Sequence, residues 1–114
     1  MTITVPVGSF TPVWYADGFK QCHLYVNRAQ SDSNGELIMY LTDDGTTDGD
    51  AIFSYRPTIA ISAEGDGYIA LISSLSSDLT TLTIKTYQLL APVTVAGGYQ
   101  SAGGVYVNVI AVGR

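Results

Sequence analysis

Three features of the sequence combine residue types that could do chemistry. The single histidine, His23, directly follows the single cysteine, Cys22, and paired Cys and His side chains serve nucleophilic catalysis. The segment 42–50, TDDGTTDGD, holds four carboxylates, the kind of oxygen ligand that Ca²⁺ prefers. The segment 96–104, AGGYQSAGG, is rich in glycine, as phosphate-binding loops are.

The local pattern argues against each of these chemistries. Side chains of adjacent strand residues point to opposite faces, so Cys22 and His23 cannot meet. The acidic segment departs from an EF-hand because Tyr55 stands where the closing glutamate is required. We therefore expect a solvated turn, with a calcium loop of another type as the alternative. The segment 96–104 lacks the lysine and the helix of a P-loop. We predict no catalytic residue, no metal site and no cofactor.

Aromatic side chains are the remaining candidates for binding, because they can stack on sugar rings. With the lone histidine, the predicted binding residues are Trp14, Tyr15, His23, Tyr25, Tyr99 and Tyr106. Tyr55 and Tyr68 are further aromatic residues expected at the surface. The alternative for each of them is structural: tryptophan is mostly buried on average, and tyrosine is common at subunit interfaces.

The composition bounds the class of protein. A chain of 114 residues is enough for one domain with a hydrophobic core, and we predict a single domain over 1–114. The chain is 46% hydrophobic and only 13% charged, against roughly 25% charged residues in typical soluble domains. A surface so poor in charge is common where partner subunits cover it, and it also suits extracellular or virion proteins.

Charge and cysteine usage exclude several functions. Nucleic-acid binding needs a basic patch, and a chain of net charge −5 with five scattered Lys and Arg residues cannot make one. Anionic membrane surfaces are disfavoured for the same reason, and no apolar run approaches the ~20 residues of a membrane-spanning helix. A lone cysteine forms no internal disulfide, and the pattern of a secretory signal is missing. We therefore expect synthesis in a cytoplasm. Any later extracellular location must be reached by a route other than secretion, and assembly into a phage particle is one such route.

The elements that must position these residues are all β-strands. β-branched and aromatic residues alternate with polar ones at a period of two, and Asp-Gly and Asn-Gly pairs separate the runs. Strands are predicted at 2–7, 10–15, 20–27, 36–41, 51–55, 57–62, 67–73, 80–87, 92–96 and 104–112. About eight to ten short strands without a substantial helix predict an antiparallel β-sandwich.

Alternation assigns side chains to faces within single strands. We predict that Leu82 and Ile84 point inward from one strand, and that Ile59 and Ile61 point inward from another. Residues Cys22, Leu24 and Val26 share one face of their strand, opposite His23, Tyr25 and Asn27.

The last predicted strand is apolar on both faces. One face carries Val105, Val107, Val109 and Ala111, and the other carries Tyr106, Asn108, Ile110 and Val112. A strand of this kind needs both faces covered. We predict that the domain core covers the first face and that a neighbouring subunit covers the second.

The second half of the chain resembles a known family. It reads YRPTIAISAEGDGYIALISSLSSDLTTLTIKTYQ, then a glycine-rich turn, then VYVNVIAVGR. The aromatic residue shortly before Pro57, the Ser/Thr-rich hairpin leading to LTIKTY and the closing strand resemble the C-terminal sandwich of bacteriophage tail-fibre proteins. That pattern is shared with the H-type lectin fold. The resemblance covers about residues 51–114, and Val109 replaces the aromatic residue that this family often has in its last strand.

This resemblance implies an assembly and a function. It places the last strand centrally in a sheet near a three-fold axis, in a homotrimer whose interface includes Tyr106, Asn108, Ile110 and Val112. It implies a non-catalytic virion protein that contacts other virion proteins and attaches to a host surface glycan or protein. The alternatives are a capsid decoration, cement or tail assembly subunit, and a small glycan hydrolase.

Overall fold

The fold is described by a computed structural model that covers residues 10–14, 21–89 and 98–114, with side chains from residue 23 onward in those ranges. These ranges contain eight strands and no helix. The strands are β1 Phe10–Trp14, β2 Gln21–Gln30, β3 Glu36–Tyr40, β4 Thr58–Ala63, β5 Tyr68–Leu75, β6 Thr81–Leu89, β7 Tyr99–Ser101 and β8 Tyr106–Gly113. Accordingly, this part of the chain has no helix long and apolar enough to cross a membrane.

The strands form two antiparallel sheets. The first sheet has the order β1-β2-β8-β4, so β8 lies between β2 and β4. The second sheet has the order β3-β6-β5, and the short β7 also pairs with β6. Buried side chains from both sheets form one core. The prediction of an all-β antiparallel sandwich is confirmed.

The core follows from the alternation of side chains. Leu82 and Ile84 of β6 are fully buried, and Ile59 and Ile61 of β4 pack against the core, as predicted. The inner face of β8 consists of Val107, Val109 and Ala111, which are also fully buried. Burying this many apolar side chains is the main source of stability for such a fold.

One strand prediction is wrong, one observed strand was not predicted, and two predicted strands fall outside the described residues. The run 51–55 forms only an isolated bridge between Ala51 and Thr42. Its apolar residues Ile52 and Phe53 pack into the core from an irregular segment instead, because a short apolar run does not by itself specify a strand. The strand β7 lies in the glycine-rich segment, where none was predicted. The predicted strands 2–7 and 92–96 lie outside the described residues.

A buried polar cluster joins the two sheets. The Thr86 hydroxyl donates to the carbonyl oxygen of Ala102 at 2.6 Å and lies 2.9 Å from the Ser31 hydroxyl, with which it shares a hydrogen bond. Ser31 Oγ accepts a hydrogen bond from the Val105 N–H at 3.0 Å. These bonds satisfy polar groups that would be costly to bury alone, and they fix the ends of β2 and β7 against β6.

Candidate functional site

The outer face of the first sheet carries an apolar stripe. Val26 of β2, Ile110 of β8 and Ala60 of β4 lie side by side in the register. The next row contains Leu24 and Val112. Val26 is 48% and Ile110 46% exposed, which is unusual for two large adjacent apolar residues on central strands. We call Leu24, Val26, Ala60, Ile110 and Val112 the outer stripe.

A cluster of Arg28, Glu64, Tyr106 and Asn108, in which the charges are paired, lies at one end of the outer stripe. The Arg28 guanidinium donates two hydrogen bonds to the Glu64 carboxylate, with Nη2 2.9 Å from Oε1. Asn108 Nδ2 donates to Glu64 Oε2 at 2.9 Å, and the Arg28 guanidinium carbon lies 3.9 Å from the centroid of the Tyr106 ring. The cluster fixes these four side chains and leaves no unpaired charge at this end of the sheet face.

The Glu64 carboxyl group provides a test of this cluster. The hydrogen bonds from Arg28, then those from Asn108, hold its pKa below the ordinary value. Because the folded-state pKa is lowered, this contribution to stability is present above the unfolded-state pKa and is lost as pH falls through the folded-state pKa. We expect Arg28→Met to raise the Glu64 pKa towards 4.5, measured by NMR titration of the carboxyl carbon. Arg56→Met removes a guanidinium group from another part of the surface and should leave the Glu64 pKa unchanged. If the Glu64 pKa in Arg28→Met equals that of the wild type, the hydrogen bonds of this cluster do not form.

Tyr25 is not a surface residue, so its predicted role in binding is wrong. It is only 1% exposed, and its hydroxyl donates to the carbonyl oxygen of Tyr40 at 3.0 Å. Burial raises the pKa of this phenol. Alternation along β2 turns Tyr25 inward and Val26 outward, and the hydrogen bond allows the polar end of the ring to be buried.

His23 lies two residues before Tyr25 on β2 and is half-buried. Its ring meets the ring of Phe53 edge to face, with the centroids 6.3 Å apart. Burial lowers the pKa of the imidazole. The ring therefore packs at the rim of the core, close to where β8 ends.

The other predicted binding residues do not form one site. Tyr106 lies on the outer face of β8 beneath Arg28. Tyr99 is exposed on β7, in the second sheet. The side chain of Trp14 and the whole of Tyr15 lie outside the described residues. The structure therefore places the two described surface tyrosines of this set on different sheets.

A polar cavity that the sequence did not indicate lies on the second sheet. It has a volume of about 260 Å³ and is lined by Asp32, Asn34, Gly35, Glu36, Lys85, Tyr87 and Ser101. It forms because β3 and β7 pair with successive parts of the same edge of β6, at Glu36–Tyr40 and Tyr99–Ser101. Between these two pairings, beside Thr86, the chain before Glu36 and the chain after Ser101 leave the sheet. We call this cavity the polar notch.

Backbone interactions hold the polar notch in shape. Asp32 Oδ1 accepts hydrogen bonds from the N–H groups of Asn34 and Glu36, at 2.8 and 2.9 Å. Gly35 has a φ of +77°, and a Cβ atom there would lie 2.8 Å from the carbonyl oxygens of Ala102 and Thr86. Only glycine fits this position without displacing the backbone.

The side chains of the polar notch retain free hydrogen-bonding capacity. Within the described part of the chain, the side chains of Asn34, Glu36, Lys85 and Ser101 form no hydrogen bond or ion pair. Carboxylate, amide, amino and hydroxyl groups thus meet beside the Tyr87 ring. This combination suits a ligand with several hydroxyl groups, because such a ligand both donates and accepts hydrogen bonds.

The acidic segment 42–50 uses its carboxylates to stabilise its own turn. Asp44 Oδ1 accepts hydrogen bonds from the Thr46 N–H and hydroxyl, both at 2.8 Å, which lowers the Asp44 pKa. Asp43 Oδ1 accepts the Asp50 N–H at 3.0 Å. In the residues that the structure describes, no group of three or more His, Cys, Asp and Glu side chains is placed to hold a metal ion.

Comparisons with known proteins add no family to this description. A scan against models of protein families, a search of curated proteins and a search of solved structures each found no match to this chain. The class that the fold defines is an antiparallel β-sandwich with an apolar stripe on one outer face and a polar notch on the other sheet.

Proposed function

We propose that this chain is a non-catalytic attachment protein at the distal tip of a phage tail fibre or a related virion appendage. The observation that carries the proposal is the outer stripe on the central strand β8. In this proposal the chain is made in the host cytoplasm, assembles as a homotrimer with other virion proteins, and attaches the particle to a host surface receptor.

The outer stripe supports the homotrimer. Its rows of apolar side chains run across β2, β8 and β4, and Tyr106 and Asn108 lie at its charge-compensated end. A flat apolar face of this kind is typical of a surface covered by another chain. Copies related by a three-fold axis cover it with the same residues in every subunit.

The polar notch supports a glycan as the receptor. It lies on the second sheet, so it stays accessible when the outer stripe of the first sheet is covered. It has a volume of about 260 Å³, and its unpaired polar groups match the hydroxyl groups of a sugar.

Binding without cleavage is also favoured by the described carboxyl groups. Glycoside hydrolysis needs one carboxyl with a raised pKa. The carboxyl groups whose pKa clearly departs from the ordinary value are Asp44, Glu64 and Asp78, and in each of them hydrogen bonds lower it.

A glycan array probed with the purified protein tests this function. We expect binding to a restricted set of bacterial surface glycans, with no change in glycan mass. Tyr87→Ala and Ser101→Ala should weaken binding, whereas Ser77→Ala, in the exposed turn between β5 and β6, should not. A trimer that binds neither glycans nor bacterial cells would contradict attachment and favour a capsid decoration or tail assembly subunit. Shortened glycan products would favour a hydrolase.

A further inference from the structure

A second cavity lies where the segment before β4 meets the end of β8. It has a volume of about 330 Å³ and is lined by Tyr55, Arg56, Thr58, Val112, Gly113 and Arg114. We call it the arginine cleft. The chain has a net charge of −5 and only five Lys and Arg residues, of which two line this one cavity.

The arginine cleft is held in place by the packing of its backbone. Phe53 and Pro57 are buried, and the N–H groups of Ser54 and Tyr55 donate to the Arg114 carbonyl oxygen at 2.7 and 2.9 Å. A Cβ atom on Gly113 would lie 3.0 Å from Pro57 Cα, so glycine lets this segment pack closely on β8. The exposed residues 54–56 therefore stand between two buried anchors, fixed beside Arg114.

Among the described residues, no Asp or Glu side chain pairs with either guanidinium group of the cleft. Neither Arg56 nor Arg114 forms an ion pair or a side-chain hydrogen bond with the described residues, whereas Arg28 is fully paired with Glu64. Two guanidinium groups that line one cavity attract an anion. The planar guanidinium fork is also the side-chain group best matched to carboxylate and phosphate oxygens.

We propose that the arginine cleft binds an oxyanion, a carboxylate or phosphate group, between Arg56 and Arg114. Tyr55 is 70% exposed at this cleft, where its ring can cover the part of the ligand that carries the anion. The Thr58 hydroxyl supplies a further donor. This site is distinct from the polar notch and adjoins the outer stripe, because Val112 belongs to both. It does not depend on the chain being an attachment protein.

NMR titration of isotope-labelled protein tests the proposal. Sodium phosphate and sodium acetate are added separately at constant ionic strength, and the more tightly bound probe identifies the kind of oxyanion. We expect saturable shifts confined to the amides of residues 54–56, 58 and 112–114. Arg56→Gln and Arg114→Gln should each weaken binding about tenfold or more, and the lysine variants should weaken it less because they keep the charge and lose the fork.

Ser77→Glu is the matched control for net charge. It lowers the net charge by the same one unit in the turn between β5 and β6, and it should leave the affinity unchanged. The glutamine substitutions are at exposed positions, and thermal melts will show that these variants fold. Affinities of Arg56→Gln and Arg114→Gln within about twofold of wild type would overturn the proposal, as would shifts that fail to saturate or that spread over the whole surface.

Discussion

Replacing Ile110 by aspartate should convert the proposed trimer into monomers at neutral pH. Ile110 lies at the centre of the outer stripe between Val26 and Ala60. In the proposed trimer the substitution therefore brings carboxylates into an interface with little water. A buried, unpaired carboxylate is costly, and its pKa rises. Lowering the pH should therefore protonate the carboxyls and partly restore the trimer. Light scattering on size-exclusion fractions measures the change against the chain mass of 12.1 kDa.

Ile38→Asp provides the control for this experiment. Ile38 lies on β3 in the second sheet and is 45% exposed, almost the same as Ile110. The Ile38→Asp substitution should leave the oligomer intact, and so should Lys85→Asp on the outer face of β6. If Ile38→Asp dissociates the oligomer and Ile110→Asp does not, the wrong face has been assigned. A wild-type monomer at micromolar concentration would remove the basis of the trimer.

Replacing Gly35 by alanine should lower the free energy of unfolding by roughly 3 kcal/mol or more. The left-handed backbone at Gly35, with a φ of +77°, costs a residue with a side chain about 1–2 kcal/mol. The new Cβ would also lie 2.8 Å from two carbonyl oxygens, which forces β3, β6 and β7 apart. Urea denaturation measures the loss, and the proposed affinity of the polar notch for glycans should fall with it.

Gly67→Ala separates the two causes. Gly67 has nearly the same φ, +80°, but a Cβ there would meet nothing within 4 Å. Its cost should be limited to the backbone strain, about 1 kcal/mol. Equal losses of stability at Gly35 and Gly67 would show that the close approach to Ala102 and Thr86 is unimportant, and the shape of the polar notch would need another explanation.

The sequence predicts the faces of the strands better than it predicts the sites. A period of two is enough to assign Leu82 and Ile84 to the core, because alternation is a local property. It also divides β2 into two faces, but it cannot decide which one is buried. Tyr25 can lie in the core because its hydroxyl donates a hydrogen bond to the carbonyl oxygen of Tyr40 on β3.

The polar notch and the arginine cleft depend on contacts between distant parts of the chain. The notch exists because β3 and β7 share one edge of β6, a register that no short sequence pattern reports. The cleft exists because Ser54 and Tyr55 bond to Arg114. The charged residues that line them therefore look like ordinary solvated residues in the sequence. The exposure of Ile110 was predictable, since it follows from alternation along a single strand.

The central position of β8 also constrains when the protein can fold during synthesis. Among the described strands, β4 pairs in its sheet only with β8, and β2 pairs with β8 from His23 to Gln30. A nascent chain that has not yet released residues 106–113 from the ribosome lacks the strand that joins β2 to β4. The first sheet must therefore close late, across long sequence separations that slow folding. Until then the apolar sides of β2 and β4 need protection from aggregation, so translation must deliver β8 before this sheet can form.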